Sequence, residues 1–292
     1  MIYTANGGQH EIEIPVMDPI PDDFEIITSL RKDTLLSRPL AEEDCVSNDS
    51  LSSQLYMLPR HRDRMLAAAK EFGWPETSQR EISSLEQHIQ AHLKSTCGDG
   101  SLTVPLKMRV ALSLNGTLNI TSTKVAAALK NCLLPHSFTD LISCSDFGSP
   151  PTFRIFVSTI PTTPTPFTKH KTTSRAQYDD ARSKTIPMIK SSGGGPAPLP
   201  IEILIFNASS HIMEGTITTP YFNRGECWIT PSAKCGGNLG TTRQYALDER
   251  LCTEGIVDKV SVRVGEKVVL SNGVRGFGWG IVEEITADDG HD

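Results

Sequence analysis

A hairpin near the middle of the chain is the feature that most constrains the fold. In Met108–Thr121, apolar residues alternate with polar ones on both sides of Asn115-Gly116. Asn-Gly is the pair that a type I′ turn prefers, because both of its central residues need a positive φ. The pattern predicts two strands joined by a tight turn, with residues 101–123 in an antiparallel sheet.

Strands dominate the second half of the chain, with few helices between them. Thr152–Thr159 repeats the alternation, and the proline-rich run at residues 160–168 then breaks regular structure. Further strands are expected at Ile201–Asn207, Val260–Val264, Lys267–Asn272 and Gly280–Ile285.

Apolar residues at helical spacing predict helices mainly in the first half. One helix begins near Pro59, with Arg64 in its first turn, and Gly73 and Pro75 end it. Other helices are expected at about Ser78–Lys94, around Lys171 through Arg182, and from Gly240 through Leu251. We interpret residues 1–21 as an extended arm, residues 24–31 as a short strand, and residues 40–55 and 191–200 as surface loops.

Composition argues against several classes of function. The chain has 292 residues, 38% hydrophobic and 21% charged, which suits a globular protein of one large or two modest domains. A net charge of -6 argues against a nucleic-acid partner, whose phosphates attract basic surfaces. No stretch has the pattern of a secretory signal or of a bilayer-spanning segment, so we expect a cytoplasmic protein without membrane contact.

No pattern in the sequence predicts a metal site. The seven cysteines include no CxxC pair. His88 and His92 lie four residues apart on a predicted helix, which is the geometry of a two-histidine site, but no third ligand follows a recognisable pattern. We therefore expect no bound metal.

Four groups along the chain have the chemistry needed to hold a phosphorylated pyridine aldehyde. Lys171, within FTKHKTTSRAQYDDAR, has an amine that can bond to the aldehyde. Glu214, at the end of a buried strand, can keep a proton on the ring nitrogen, which makes the ring an electron sink. Arg64 and a glycine turn leading to Thr241 and Thr242 can bind the phosphate at a helix N-terminus. Each residue alone has an ordinary structural explanation, and their combination supports the hypothesis of a pyridoxal 5'-phosphate (PLP) enzyme.

These motifs resemble those of the fold-type IV, class IV aminotransferase family, and most closely its fungal 4-amino-4-deoxychorismate lyase branch. The resemblance covers residues 22–72 and about 165–282. Its motifs are His61-Arg62-Asp63-Arg64-Met65, Lys171 followed by Thr-Thr-x-Arg-x-x-Tyr, Glu214 with Thr216–Thr219, Gly240-Thr241-Thr242-Arg243, and Leu270-Ser271-Asn272-Gly273.

The resemblance implies a role for each matched residue. Lys171 would anchor the cofactor and act as general base, and the cofactor would also contact Arg64, Glu214, Thr241, Thr242 and Asn272. The family's usual Asp-Arg-Gly-x-x-Phe-Gly-Asp-Gly stretch is missing before the first strand, and Thr28 or Ser29 could replace the hydroxyl that the lyases use. Candidates for the substrate carboxylates are Arg109, Arg175 and Arg275, since each is a cation near a motif or a predicted strand end.

The implied fold is α+β, with a small α/β N-terminal domain at residues 1–130, an interdomain segment at 131–165, and a C-terminal PLP-binding pseudo-barrel domain at 166–292. The resemblance also implies a homodimer with PLP in the cleft between the domains. The implied reaction converts 4-amino-4-deoxychorismate to p-aminobenzoate and pyruvate, a step toward folate. Arg175, four residues after Lys171, favours this lyase over the alternative, a class IV aminotransferase acting on a branched-chain or D-amino acid or an amine. A non-catalytic relative that keeps the fold as an interaction module is a further alternative.

Overall fold

The computed structural model describes residues 23–37, 50–97, 103–143, 152–189 and 199–285. The arm predicted at residues 1–21 lies outside the described residues, as does most of each loop predicted at 40–55 and 191–200. Among the described residues, every helix is too short or too polar to cross a bilayer.

The first part of the chain forms a three-stranded antiparallel sheet in the order β1-β2-β3. Its strands are β1 (Ile26–Lys32), β2 (Leu106–Leu112) and β3 (Leu118–Lys124). The predicted hairpin is confirmed, but its turn type was wrong. Leu112 pairs with Leu118, and of the turn residues only Gly116 has a positive φ, 88°. Asn115 keeps a negative φ and accepts hydrogen bonds from the Ser113 hydroxyl and the Thr117 N–H, which stabilise the longer turn.

Four helices accompany this sheet: α1 (Leu51–Gln54), α2 (Leu58–Glu71), α3 (Glu76–Ser83) and α4 (Leu85–Cys97). Side chains of α2 to α4 share one buried cluster with the sheet, including Leu30, Met65, Ile82, Ile89 and Met108. The single helix expected at 78–94 is in fact two. Ser84 ends α3, and the Ser83 hydroxyl donates to Gln79 O, the kind of side-chain competition that weakens a helix. Because α2 begins at Leu58, Arg64 lies in its second turn, not its first.

The second part forms an eight-stranded sheet that curls into a half-barrel, in the order β6-β5-β4-β11-β10-β7-β8-β9. Its strands are β4 (Thr152–Val157), β5 (Ile201–Phe206), β6 (Ile212–Gly215), β7 (Thr219–Asn223), β8 (Trp228–Pro231), β9 (Thr253–Gly255), β10 (Lys267–Asn272) and β11 (Gly276–Val282). The accompanying helices are α5 (Lys130–Leu133), α6 (Phe138–Ser143), α7 (Pro166–Lys169), α8 (Ala176–Thr185) and α9 (Thr241–Asp248). The domain boundaries stay a prediction. The structure shows that β4, which lies within the predicted interdomain segment at 131–165, pairs with two strands of this larger sheet.

Two expectations about local structure were wrong. The strand predicted at Val260–Val264 is replaced by a 3-10 turn at Lys259–Ser261, and Val260 is 89% exposed. Alternating apolar residues stabilise a strand only where their side chains are buried against neighbouring residues. The helix expected around Lys171 is interrupted, since α7 ends at Lys169 and α8 begins at Ala176.

The larger sheet depends on buried β-branched side chains at its centre. Ile155 on β4 is fully buried, whereas Ile281 on the neighbouring β11 is 37% exposed. Ile155→Ala should lower the free energy of unfolding by about 2–5 kcal/mol, because it leaves a cavity. The matched Ile281→Ala change should cost about 1 kcal/mol or less. Urea unfolding followed by circular dichroism measures both, and equal losses would contradict the burial pattern.

Candidate active site

A cleft between the two sheets contains Lys171, and main-chain hydrogen bonds fix the segment that carries it. Ile27 N donates to Lys171 O at 2.9 Å, and Thr173 N donates to Glu25 O at the same distance. On the other side, Leu239 N donates to Lys169 O at 3.3 Å. The lysine backbone is therefore held by the strand β1 and by the loop that leads to α9.

The cleft opens into a cavity with about 680 Å³ of empty space, part of which is open to solvent. The structure brings most of the sequence-predicted site residues to this one cavity. Its lining includes Ser29, Arg64, Lys171, Arg175, Glu214, Thr241, Thr242 and Asn272.

The amine of Lys171 is prepared for nucleophilic chemistry. Burial, followed by the positive charges of Arg64, Arg175 and Lys107, lowers its pKa to about 7. Among the described residues, no hydrogen bond or salt bridge occupies its Nζ. A large fraction of the amine is thus neutral and free to react near pH 7.

Glu214 lies across the cavity in a protein environment that favours its protonated form. The Tyr178 hydroxyl lies 2.5 Å from its Oε1, and Asn238 N donates to the same atom at 2.9 Å. Burial raises the pKa of the carboxyl to about 8, and the two hydrogen bonds only partly oppose that shift. The raised pKa therefore favours the protonated form of Glu214 near neutral pH.

Sequence reasoning did not assign a role to Tyr178. Its side chain is buried, it lines the cavity, and the Arg175 guanidinium lies over its ring at 4.7 Å. The tyrosine closes the Lys-Thr-Thr-x-Arg-x-x-Tyr motif, so its position in that motif was an available signal.

The opposite end of the cavity is suited to an anion. Gly240 is the N-cap of α9, whose first-turn N–H groups have no intrahelical acceptors. Arg64 Nε is buried without a hydrogen-bond partner, and it belongs to a cation that lines the cavity. The Thr242 Oγ1 accepts from the Ser271 hydroxyl at 2.7 Å, and Thr242 lines the cavity. A phosphate is the chemical group that such a set of donors would hold.

Strand alternation separates the two candidate hydroxyls on β1. Ser29 lines the cavity. Thr28 is fully buried, and its Oγ1 contacts His61 Nδ1 and Arg64 Nη2, both at 2.6 Å. Ser29 therefore has the hydroxyl that can contact a ligand in the cavity, whereas the Thr28 hydroxyl accepts a hydrogen bond from Arg64 outside it.

A second buried carboxylate, Glu202, shapes the wall of the cavity and was missed from the sequence. It accepts hydrogen bonds from the Thr216 and Thr218 hydroxyls at 2.8 and 2.6 Å, and from Ile217 N at 3.3 Å. Burial raises its pKa. The available signal was an acid inside the otherwise apolar run IEILIF. Gly215 is required beside it, because a Cβ there would lie 2.8 Å from Glu202 Cδ.

The three arginines proposed for substrate carboxylates lie in different places. Arg175 lines the first cavity and donates to Thr216 O at 2.8 Å. Arg275 is exposed and lines a second, adjoining cavity. Arg109 lines neither cavity and lies 3.9 Å from the Glu25 carboxylate instead, so its role as a substrate contact stays a prediction that this placement does not support.

The adjoining cavity is strongly cationic. It shares Ser29, Lys171 and Asn272 with the first cavity and contains about 1530 Å³ of empty space. Its charged lining consists of Arg31, Lys107, Lys171 and Arg275, with no acidic residue among the described lining residues. Arg31 is neutralised by Asp33 at 2.7 Å. Asn272 Oδ1 accepts from two local N–H groups, so its amide nitrogen is the atom left for a ligand.

Within the described part of the chain, no three metal-type ligands converge. His88 instead lies 2.9 Å from Glu81, and His92 lies 3.1 Å from Ser122 Oγ. Both histidines thus contact other side chains beside α4, and their helical spacing requires no metal to explain it.

Known proteins share both the sequence pattern and the fold. The profile of the amino-transferase class IV family matches residues 50–279. The aminodeoxychorismate lyase of Saccharomyces cerevisiae is 30% identical over 210 residues, 69% of this chain and 53% of that protein, so the chain spans about half of its length. A putative aminodeoxychorismate lyase of Schizosaccharomyces pombe is 25% identical over 241 residues, 81% of this chain and 88% of that protein. A putative amino-acid aminotransferase from Mesorhizobium loti has the same fold, with a TM-score of 0.61 and 22% identity over 89% of this chain and 100% of that one.

The lowered pKa of Lys171 predicts an unusual pH profile for its modification. Since only the neutral amine reacts, acylation by acetic anhydride should rise through a midpoint near pH 7 in the folded protein. In denaturant the same lysine should titrate near its ordinary pKa of about 10.4. Mass spectrometry of the peptide that contains Lys171 measures both profiles. Identical midpoints in the two states would show that the fold does not perturb this amine.

Proposed function

The chain belongs to the amino-transferase class IV family, and on that premise we propose that it is a PLP-dependent lyase that converts 4-amino-4-deoxychorismate to p-aminobenzoate and pyruvate. Two fungal relatives bear the name aminodeoxychorismate lyase, one of them as a putative assignment. The proposal also includes a homodimer, as the sequence resemblance implies, and the cytoplasmic location expected from the sequence pattern.

The cationic cavity beside Lys171 is the observation that favours this substrate. The proposed substrate brings an amine and two carboxylates, whereas an ordinary amino acid brings an amine and one α-carboxylate. Lys107 and Arg275 add two positive charges to a cavity that opens directly onto Lys171. Charged groups of opposite sign in a partly desolvated cavity favour binding and fix orientation.

The residues of the first cavity suit PLP. Lys171 would bond to its carbonyl carbon, Glu214 would contact the ring nitrogen, and the phosphate would lie against Arg64, Thr241 and Thr242. The unpaired Arg64 Nε and the first turn of α9 support this orientation, because both lack a protein acceptor. When bound, PLP supplies a carbonyl that exchanges amines and a ring that stores an electron pair.

The protein's own groups then manage the protons of the reaction. Lys171, whose lowered pKa leaves a substantial neutral fraction near pH 7, takes the proton from the substrate carbon that bears the amine. Glu214 keeps a proton at the ring nitrogen and so maintains the electron sink. The bond between the neighbouring carbon and the enolpyruvyl oxygen breaks, and its electron pair leaves on that oxygen. Ser29, which lines both cavities, is the hydroxyl that we assign to deliver a proton there.

An aminotransferase on the same scaffold is the second candidate, supported by the family itself and by the structural likeness to an aminotransferase. It would use Lys171, Glu214 and Arg64 in the same positions. The two candidates differ in stoichiometry, because a transaminase needs a keto-acid acceptor to complete its cycle and the lyase does not. A non-catalytic relative would be colourless and could not be reconstituted with PLP.

With 4-amino-4-deoxychorismate as the sole substrate, the purified protein should release p-aminobenzoate and pyruvate in equal amounts. Chromatography of p-aminobenzoate and a coupled pyruvate assay measure the two products. Lys171→Ala should abolish turnover while leaving the far-UV circular dichroism spectrum unchanged, because it removes the general base. Turnover that appears only after a keto acid is added would identify the aminotransferase instead.

Lys107 should contribute to substrate affinity through its charge. Lys107→Met should raise KM for the aminodeoxychorismate by about tenfold with a smaller change in kcat, because a charge-assisted contact is lost. Lys124→Met is the matched control, since Lys124 is an exposed lysine on β3 of the same sheet and lines neither cavity. Steady-state kinetics of the two variants make the comparison, and an equal effect on KM would exclude a specific carboxylate contact at Lys107.

A further inference from the structure

A buried chain of polar groups runs behind the anion end of the site, and its two inner members, Thr28 and His61, have no role in the reaction proposed above. Arg64 Nη2 lies 2.6 Å from Thr28 Oγ1, which lies 2.6 Å from His61 Nδ1. On the far side of the imidazole, Nε2 lies 3.4 Å from Thr241 Oγ1. The side chains of Thr28, His61 and Thr241 are each at most 2% exposed. The chain joins β1, α2 and the first residue of α9.

The hydrogens along this chain have one order that satisfies the Thr28 hydroxyl and both ring nitrogens of His61. A guanidinium can only donate, so Thr28 Oγ1 accepts from Arg64. The remaining described contact of the Thr28 hydroxyl is His61 Nδ1, which must accept its hydrogen. If Nδ1 carried a hydrogen instead, the Thr28 hydroxyl hydrogen would be buried without an acceptor, which is unfavourable.

The imidazole is held neutral by its surroundings. His61 faces the cations Arg64 and Lys171, and no described carboxylate contacts its ring. Burial, followed by these two positive charges, lowers the pKa of His61 well below its ordinary value. A neutral imidazole whose Nδ1 accepts a hydrogen bond carries its single hydrogen on Nε2.

The same order of hydrogens extends from His61 to Thr241, which lines the cavity. His61 Nε2–H donates to Thr241 Oγ1, so the Thr241 hydroxyl hydrogen is left to point elsewhere, and Thr241 lines the cavity. Gly273 makes room for this arrangement, because a Cβ there would lie 2.6 Å from His61 Cε1. A bulkier residue at position 273 would displace the ring from Thr241.

We infer that His61 is a positioning residue that, through a hydrogen-bond chain ordered from Arg64 to Thr241, turns the Thr241 hydroxyl hydrogen toward the phosphate of the bound cofactor. The inference rests on the proposed PLP function for its ligand, but the order of the hydrogens is a property of the protein alone. It also explains why Thr28 is buried behind Arg64 and does not line the cavity.

The order of the hydrogens can be tested on the full chain without a ligand. Long-range 1H–15N NMR of protein labelled with 15N-histidine identifies the tautomer of each imidazole, and the His61 signals are those that disappear in His61→Gln. We expect His61 as the neutral Nε2–H tautomer near neutral pH. An Nδ1–H tautomer, or an imidazolium, would overturn the inference whether or not the protein binds PLP.

Two variants test the effect on the phosphate. The Gln side chain in His61→Gln places its amide near the former Nε2 and keeps a donor for Thr241, whereas Asn in His61→Asn reaches only the Nδ1 position and keeps only the Thr28 contact. Absorbance titrations with PLP and with pyridoxal, which lacks the phosphate, measure both affinities. We expect His61→Asn to bind PLP about tenfold more weakly and His61→Gln to stay within about threefold of the wild type, with pyridoxal affinity unchanged in both.

The outcomes separate this inference from the proposed function. Equal losses for PLP and pyridoxal, or equal losses in the two variants, would show that His61 only supports the fold. Thermal unfolding of each variant identifies a folding defect. If a variant is destabilised, the His61 tautomer measured in the wild-type protein decides whether the inference holds. A wild-type protein that binds neither compound would defeat the proposed function, while the tautomer result would stand on its own.

Discussion

Burial of charge in one cleft is the constraint on which the rest of this structure depends. A lysine amine and a carboxyl that would each be ionised in water lie in the same cavity, where burial disfavours both charged forms. Lys171 is pushed toward its neutral form by Arg64 and Arg175, whose positive charges are close to it. Glu214 is pushed toward its protonated form, so the two groups do not neutralise each other as a salt bridge. In the absence of a ligand, the cleft therefore contains a neutral fraction of the Lys171 amine and a Glu214 carboxyl that favours its protonated form.

Main-chain bonding keeps that arrangement in place. The segment at Lys171 joins neither sheet as a regular strand, yet it bonds to β1 on one side and to the loop before α9 on the other. Glu202 gives similar support to the wall at residues 216–218, using side-chain hydroxyls and a backbone N–H. Polar groups that are buried and fully bonded resist local rearrangement, which suits a site that must hold several groups in register.

The sequence predicted the parts of the site that lie in short, contiguous motifs. Lys171, Arg64, Glu214, Thr241 and Thr242 meet in one cavity, as expected, because each motif places a chemically distinctive residue at the end of a regular element. The α+β fold-type IV class and the hairpin were likewise predictable from local pattern and resemblance. Residues whose role depends on tertiary pairing were not predictable.

The misses have specific physical reasons. Glu202 and His61 have roles defined by partners 14 to 180 residues away, which no local spacing encodes. Arg109 was proposed as a cation near a motif or a predicted strand end, and its position on β2 places it beside Glu25, away from both cavities. The apolar alternation at Val260–Val264 lacked a neighbouring strand to pair with, so the same pattern that predicted the hairpin failed there.

The order of the strands in the larger sheet also governs when the site can exist. β4 pairs with β11, and β10 lies between β11 and β7, so the middle of the sheet is built from segments more than 100 residues apart. Asn272 and Gly273 come from the end of β10 and the residue after it, and both line the cavity. During synthesis from the N-terminus, the three-stranded sheet has all its strands by residue 124, long before these residues leave the ribosome. The cleft can thus be completed only after residue 273 has been synthesised, which makes it one of the last features of the nascent chain to form.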